Sequence, residues 1–217
     1  MERNSECWYF NVCDEPNCEG CITYKSMLWQ FEHCGLPKAK YKPISLYASK
    51  EDYEAFSDLA DIREDIENFV NNGENLYICS TNTGTGKTSW AIKMLQTYFH
   101  YTAEGNMWNL KGMFVSVPKL LLQFKDFNNP LDSEYKENLK SCDLLILDDI
   151  AVTGMSQYDY MQLFTLIDER MLSEKSIIFT SNNVTLDDLA GVVGNRIASR
   201  VWNGSTIITL KGGDMRG

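Results

Sequence analysis

An α/β domain, with helices on both sides of a parallel five-stranded sheet, is expected from three features of this chain. Five short apolar runs alternate with segments of helical periodicity. The runs are continuous rather than alternating in polarity, as strands buried on both faces require. The first run also passes through a glycine-containing loop directly into an amphipathic helix, which turns backbone N–H groups toward an anion.

Residues 1–36 make a head rich in cysteine and aromatic side chains, and Gly35-Leu36-Pro37 with Pro43 mark a connecting stretch over 37–50. The domain proper is 51–217. Phe56, Leu59, Ile62, Ile66, Phe69 and Val70 predict one long amphipathic helix over 51–72, closed by Asn71-Asn72-Gly73. The first strand is Leu76-Tyr77-Ile78-Cys79, and the helix after the loop carries Trp90, Ala91, Met94, Leu95, Tyr98 and Phe99 on one face. A polar segment leads to a second strand at 113–117, and Pro118 suits the first turn of the next helix. A break at Asn128-Asn129-Pro130 separates that helix from a short one near 133–139. The third strand, Leu144-Leu145-Ile146-Leu147, enters Asp148-Asp149. A helix over 157–172, a fourth strand at 177–180, helical stretches at 186–189 and 192–201, and a fifth strand at 206–210 complete the order.

The loop between first strand and helix ends in Gly86-Lys87-Thr88, which defines a P-loop. Asn82, Thr83, Gly84, Thr85, Gly86, Lys87, Thr88 and Ser89 are the expected nucleotide contacts. Lys87 would reach the β- and γ-phosphates of ATP, and the Thr88 hydroxyl would ligate Mg²⁺. The pattern asks for glycine five positions before Gly86, where this chain has Thr81. That glycine eases the exit from the strand rather than touching phosphate, so loop geometry is in question more than chemistry.

An apolar strand ending in two aspartates meets the needs of a Walker B element. Asp148 would orient Mg²⁺ through its water shell, and Asp149 would polarise the attacking water. Both fall at a strand's carboxyl end, where open α/β sheets bind ligands. At the end of the next strand, Thr180-Ser181-Asn182 puts the Asn182 carboxamide where it would hold that water.

The net charge of −10 disfavours a broad basic face for coating nucleic acid, though not a local basic path. No apolar run spans a bilayer and the first residues lack a signal peptide's blocks, so a cytoplasmic protein without membrane partners is expected. Five of the seven cysteines lie in the first 34 residues, and in a reducing compartment such clustering points to metal rather than disulfides. Cys13-x4-Cys18-x2-Cys21 has chelating spacing, with Cys34 as the fourth ligand and Cys7 or His33 as alternatives. Zinc is the first choice, because so short a head needs a staple and structural zinc contributes about 10–16 kcal/mol. The same spacing also begins a plant-type iron–sulfur pattern.

The order of P-loop, Asp148-Asp149 strand, Thr180-Ser181-Asn182 strand and Gly194-Asn195-Arg196-Ile197-Ala198-Ser199-Arg200 resembles the AAA+ ATPases. More narrowly, residues 50–217 are similar to the DnaC/DnaI-type replicative helicase loaders of bacteria and their phages. The resemblance implies that Asn182 is sensor 1 and that Arg200 is an arginine finger acting in trans, with Arg196 beside it on the same helix face. It implies that Arg216 reaches back to nucleotide, that no lid domain follows, and that the helices between the second and third strands are the extra motif of the initiator and loader branch. The expected activity is ATP-dependent loading of a hexameric replicative helicase onto single-stranded DNA by a self-associated ring or spiral. Loaders of the DnaI kind carry a larger zinc-binding domain in place of this head. Three other readings stay open: an IstB-like transposition helper ATPase, a small-molecule P-loop kinase, and an adaptor with a degenerate ATPase.

Overall fold

Strands β1 (Leu76–Cys79), β2 (Gly112–Ser116), β3 (Leu144–Asp148), β4 (Ser176–Ser181) and β5 (Thr206–Thr209) form one sheet in the computed structural model. Their order is β2-β3-β4-β1-β5, and every pairing is parallel. The structure describes residues 7, 8, 13, 21–102, 109–126 and 131–213. The central strands β1, β3 and β4 are buried along their whole length, whereas β2 and β5 at the edges are partly exposed. This burial explains their unbroken apolar sequence. Register pairs Ser116 with Asp148 and Cys79 with Ser181, so the carboxyl ends of four strands meet at one rim.

Helix α1 (Ile22–His33) lies in the head, followed by α2 (Tyr53–Glu64) and α3 (Ile66–Asn71). The single helix expected over 51–72 is therefore two. Asp65 leaves helical geometry at φ −105°, ψ 28°, and its carboxylate accepts a hydrogen bond from the Asn68 amide at 2.6 Å. Asp competes with its own backbone in this way and favours breaks over helix interiors. Ile66, Phe69 and Val70 are then buried in the same core as Phe56 and Leu59. Helix α4 (Lys87–Thr102) crosses the sheet and packs on β1 to β4. Helices α5 (Val117–Lys125), with Pro118 in its first turn, and α6 (Ser133–Ser141) lie between β2 and β3. Helix α7 (Gln157–Leu172) joins β3 to β4, and its capping box is reciprocal between Ser156 and Asp159. The two helical stretches expected at 186–189 and 192–201 are α8 (Leu186–Val193) and α9 (Asn195–Asn203), with the break at Gly194, which takes a left-handed φ of 80°.

The cysteine-rich head contributes to the core rather than standing beside it. Met27 and Phe31 of α1 are buried, and Phe31 meets Phe99 of α4 edge to face at 5.4 Å. The Gln30 amide donates to Asn109 O at 2.8 Å and accepts from Lys111 N at 2.9 Å. Phe114 N of β2 donates to Cys34 O at 2.7 Å, so this segment covers an otherwise open sheet edge. Gly35 follows at φ 85°, where a Cβ would stand 2.5 Å from Phe114 O.

Arg170 of α7 is fully buried under the sheet's other end. Its guanidinium donates to the carbonyls of Leu139, Lys140, Cys142 and Ser176 at 2.8–3.1 Å. One side chain thus ties the exit of α6 to the starts of β3 and β4, and so supports the register that brings Asp148 beside Thr180. Among the described residues, no helix is long and apolar enough to cross a membrane.

Candidate active site

The phosphate loop begins where β1 stops pairing. Ser80 N still donates to Ser181 O at 3.2 Å, and the Ser80 hydroxyl then accepts from Asn82 N at 3.1 Å to start the turn. Gly84 and Gly86 take φ values of 73° and 96°, which L side chains rarely adopt. Trp90 N donates to Gly86 O at 2.8 Å and carries the loop into α4. Thr81 is exposed, and among the described residues the only non-glycines with positive φ are Asp149 and Glu174. The missing first glycine therefore costs this loop no backbone strain.

The loop's functional groups already engage one another. Lys87 is largely buried and its ammonium donates to Asn82 O at 3.0 Å. The Thr88 hydroxyl donates to Asp148 Oδ1 at 2.7 Å, and the Thr180 hydroxyl donates to the same oxygen at 2.8 Å. Burial raises the Asp148 carboxyl above its usual range; the two hydroxyls and Lys87 pull the other way, while Asp149 adds to the rise. Asp149 is exposed at φ 55°, and its N–H donates to the Thr180 hydroxyl at 2.9 Å. A left-handed residue at the mouth of a cleft fits a strained functional turn.

A cleft of about 410 Å³ opens over these groups, lined by Thr83 to Ser89 together with Lys40, Ile92, Asp149 and Asn182. The expected nucleotide contacts from Thr83 to Ser89, both aspartates and Asn182 are thus gathered at one rim of the sheet. Asn82 touches the rim differently. Its carbonyl receives Lys87, and its side-chain amide donates to Lys211 O at 3.2 Å and Gly212 O at 3.0 Å. The same tail is held by the buried Asp52 carboxylate, which accepts from Lys211 N at 2.5 Å and Gly212 N at 2.9 Å.

Arg196 and Arg200 do not line this cleft. They sit on α9 at a separate hollow of about 500 Å³ with Phe164, Asn195 and Ser199. Arg200 pairs with Asp168 at 2.6 Å and lies 5.3 Å over the Phe164 ring. Arg216 and Cys18 lie outside the described residues. Cys13 and Cys21 are half-buried. Cys34 is buried, its thiol is directed at Phe31 O, and burial pushes its pKa up to about 12. Among the described residues, no group of three or more His, Cys, Asp or Glu side chains is placed to hold a metal ion.

Two contributors escaped the sequence reading. Thr180 bridges Asp148 to Asp149, and only the β3–β4 register reveals it. Lys40 is 47 positions from Lys87 in the chain, so no local motif includes it.

A parallel sheet of this order, with a phosphate loop after β1 and an acidic pair after β3, defines a P-loop ATP-binding protein of the AAA+ class. Residues 44–216 match the family model described as IstB-like ATP binding protein, and the chain belongs to that family. It is 24% identical over 177 residues to the replicative helicase loader DnaC of Escherichia coli K12, covering 76% of this chain and 67% of that one. Among solved structures it resembles the DnaC helicase loader at a TM-score of 0.64 and 20% identity, covering 77% of this chain and 94% of the other. DnaI gives a TM-score of 0.64 at 19% identity, covering 83% and 94%. AMPPCP-bound DnaA from Aquifex aeolicus gives 0.57 at 21% identity, covering 76% and 48%. These structural likenesses establish the shared fold.

Proposed function

We propose that this protein is an ATP-driven loader that places a ring-shaped replicative helicase on single-stranded DNA, working as an assembly of several copies. The observation that carries the reading is a divided site. Lys87, Thr88, Asp148, Asp149 and Asn182 gather at the sheet rim, while Arg196 and Arg200 stand at a different face. Among the described residues no arginine lines the cleft, and a second copy would bring one. The relatives named as replicative helicase loaders support the helicase as partner.

The donor set at the rim fits Mg²⁺, because Thr88 and Asp148 present hard oxygens already in contact at 2.7 Å. These two residues would hold the ion, which when bound neutralises phosphate charge. Lys87 exchanges the Asn82 carbonyl for a phosphate oxygen. Asn182 holds the attacking water and Asp149 accepts its proton as the water oxygen bonds to the γ-phosphorus. The β–γ bridging oxygen departs with ADP. Arg200 of a neighbouring copy stabilises the charge that spreads over the transferring group, an effect worth about 10³–10⁵ in rate.

Co-purification with the hexameric helicase of the same host, strengthened by MgATP and lost in Lys87→Ala, supports the loader reading. Retention of nucleotide binding by Lys87→Ala would count against the phosphate-loop assignment. The family match favours one second reading, an IstB-like transposition helper. Salt-sensitive filaments on duplex DNA without helicase binding would select it, and the net charge of −10 argues against it. Zinc in the head is proposed on the spacing of Cys13, Cys18 and Cys21 with Cys34. One zinc per chain by elemental analysis supports it, and a metal-free, fully folded protein overturns it.

A further inference from the structure

We propose that Lys40 is a second phosphate-binding lysine of the nucleotide cleft, supplied in cis by the segment that connects the head to the ATPase core. The inference rests on the ATP-binding reading above and adds a residue to it. Lys40 lines the same cleft as Gly86, Lys87 and Thr88, although it precedes the first strand by more than thirty residues.

The backbone around Lys40 is strapped to α4. The largely buried Gln96 amide donates to Lys40 O at 2.8 Å and to Lys42 O at 2.9 Å, so one nitrogen holds the carbonyls on both sides of Tyr41. One turn nearer the phosphate loop, the Lys93 ammonium donates to Ile44 O at 3.0 Å. Tyr41 stacks on Phe31 at 5.1 Å, and its carbonyl accepts from the Trp8 indole at 2.8 Å. Ser89, Ile92 or Lys93, and Gln96 recur at helical spacing, so this stripe of α4 leads from the strap to the loop. The strap is held by the buried Gln96 and Phe31 and the half-buried Lys93 and Trp8, and the Lys40 side chain it presents is exposed.

Charge gives that side chain a purpose. Asp148 and Asp149 stand at the rim with Lys87, and a nucleoside triphosphate adds further negative charge. A second ammonium at the mouth of the cleft answers it. Among the described residues the Lys40 ammonium makes no ion pair, so no carboxylate competes with a phosphate for it. The ligand class is the polyphosphate of a nucleoside di- or triphosphate. Because the strap continues directly from Cys34 and Gly35 at the β2 edge, a phosphate gripped by Lys40 also steadies the head's attachment.

The test pairs lysine-acylation footprinting with calorimetry on the full chain. MgATP should slow acylation of Lys40 at least about threefold, and adenosine should not, because a bound phosphate masks the amine. Lys40→Ala should weaken MgATP binding about 5- to 30-fold, and Lys40→Arg should recover most of the loss. Thermal unfolding without nucleotide should not distinguish Lys40→Ala from the native protein. Equal acylation with and without MgATP, or affinity of Lys40→Ala within about twofold of native, would overturn the assignment while leaving ATP binding intact. Absence of any MgATP binding by the native protein would instead defeat the nucleotide reading itself, and this assignment with it.

Discussion

Replacing Asp148 with Asn should remove catalysis while leaving the nucleotide-free fold as stable as before, or more so. The carboxylate accepts two hydroxyl hydrogen bonds at 2.7 and 2.8 Å, and an Asn oxygen can accept both. Weakening two charge-assisted bonds to neutral ones costs about 1–3 kcal/mol in total. Against this stands the burial of a charged group only 8% exposed, with Asp149 next to it. Removing an ionised group from such a site returns several kcal/mol in the general case. The raised pKa of Asp148 says that burial prevails, so the ionised form is the disfavoured one. Asp148→Asn should therefore match the native protein at pH 7 or exceed it by about 1–2 kcal/mol, a melting shift of about 2–8 °C for a domain of this size. The pH dependence has a definite sign. A carboxyl whose folded pKa is raised has its full stability below the unfolded value near 3.9 and loses it as pH rises through the folded value. The advantage of the variant should thus shrink over the range in which pH falls from above the raised folded value toward about 3.9. Thermal unfolding without nucleotide across that range measures it, and Mg²⁺ should add nothing to ATP's stabilisation of the variant. A variant less stable than native by more than about 1 kcal/mol at pH 7, or a gap independent of pH, would refute the reasoning.

Three further outcomes are expected. Arg170→Met should cost about 3–5 kcal/mol, because the carbonyls of Leu139, Lys140, Cys142 and Ser176 lose a buried donor; denaturant unfolding reads this directly. Asp159→Asn should cost about 1.5–3 kcal/mol at pH 7. Burial favours the protonated acid, but Lys125 and Ser156 outweigh it and hold the carboxyl below its usual range, so the contribution is present above about pH 4 and fades below it. Arg200→Ala should bind MgATP normally yet hydrolyse it about 10³-fold more slowly. Mixing it with Lys87→Ala should recover turnover where an intact loop meets a neighbour's Arg200, and an inactive mixture would argue against a shared site.

Much of the architecture was legible because its causes are local. Burial on both faces makes β1, β3 and β4 unbroken apolar runs, and the phosphate loop must place its glycines and Lys87 within a few residues of one another. The break at Asp65 was not visible, since helical periodicity runs across it and only backbone conformation marks the step; the break in the last helical region was read, but a few residues before Gly194, where the structure puts it. Helix α1 was masked by the cysteines around it, although Met27 and Phe31 sit one turn apart on its buried side.

The residues of the candidate site were thus written in the chain itself, because each motif is a contiguous stretch whose chemistry follows from its side chains. Their meeting was not. Only parallel register sets Thr180 against Asp148, only the Arg170 anchor ties the two strands at their other end, and only the strap along α4 delivers Lys40 to the cleft. Contacts between segments tens of residues apart depend on how the sheet is ordered and how loops fold back over it, and no spacing along one dimension records that.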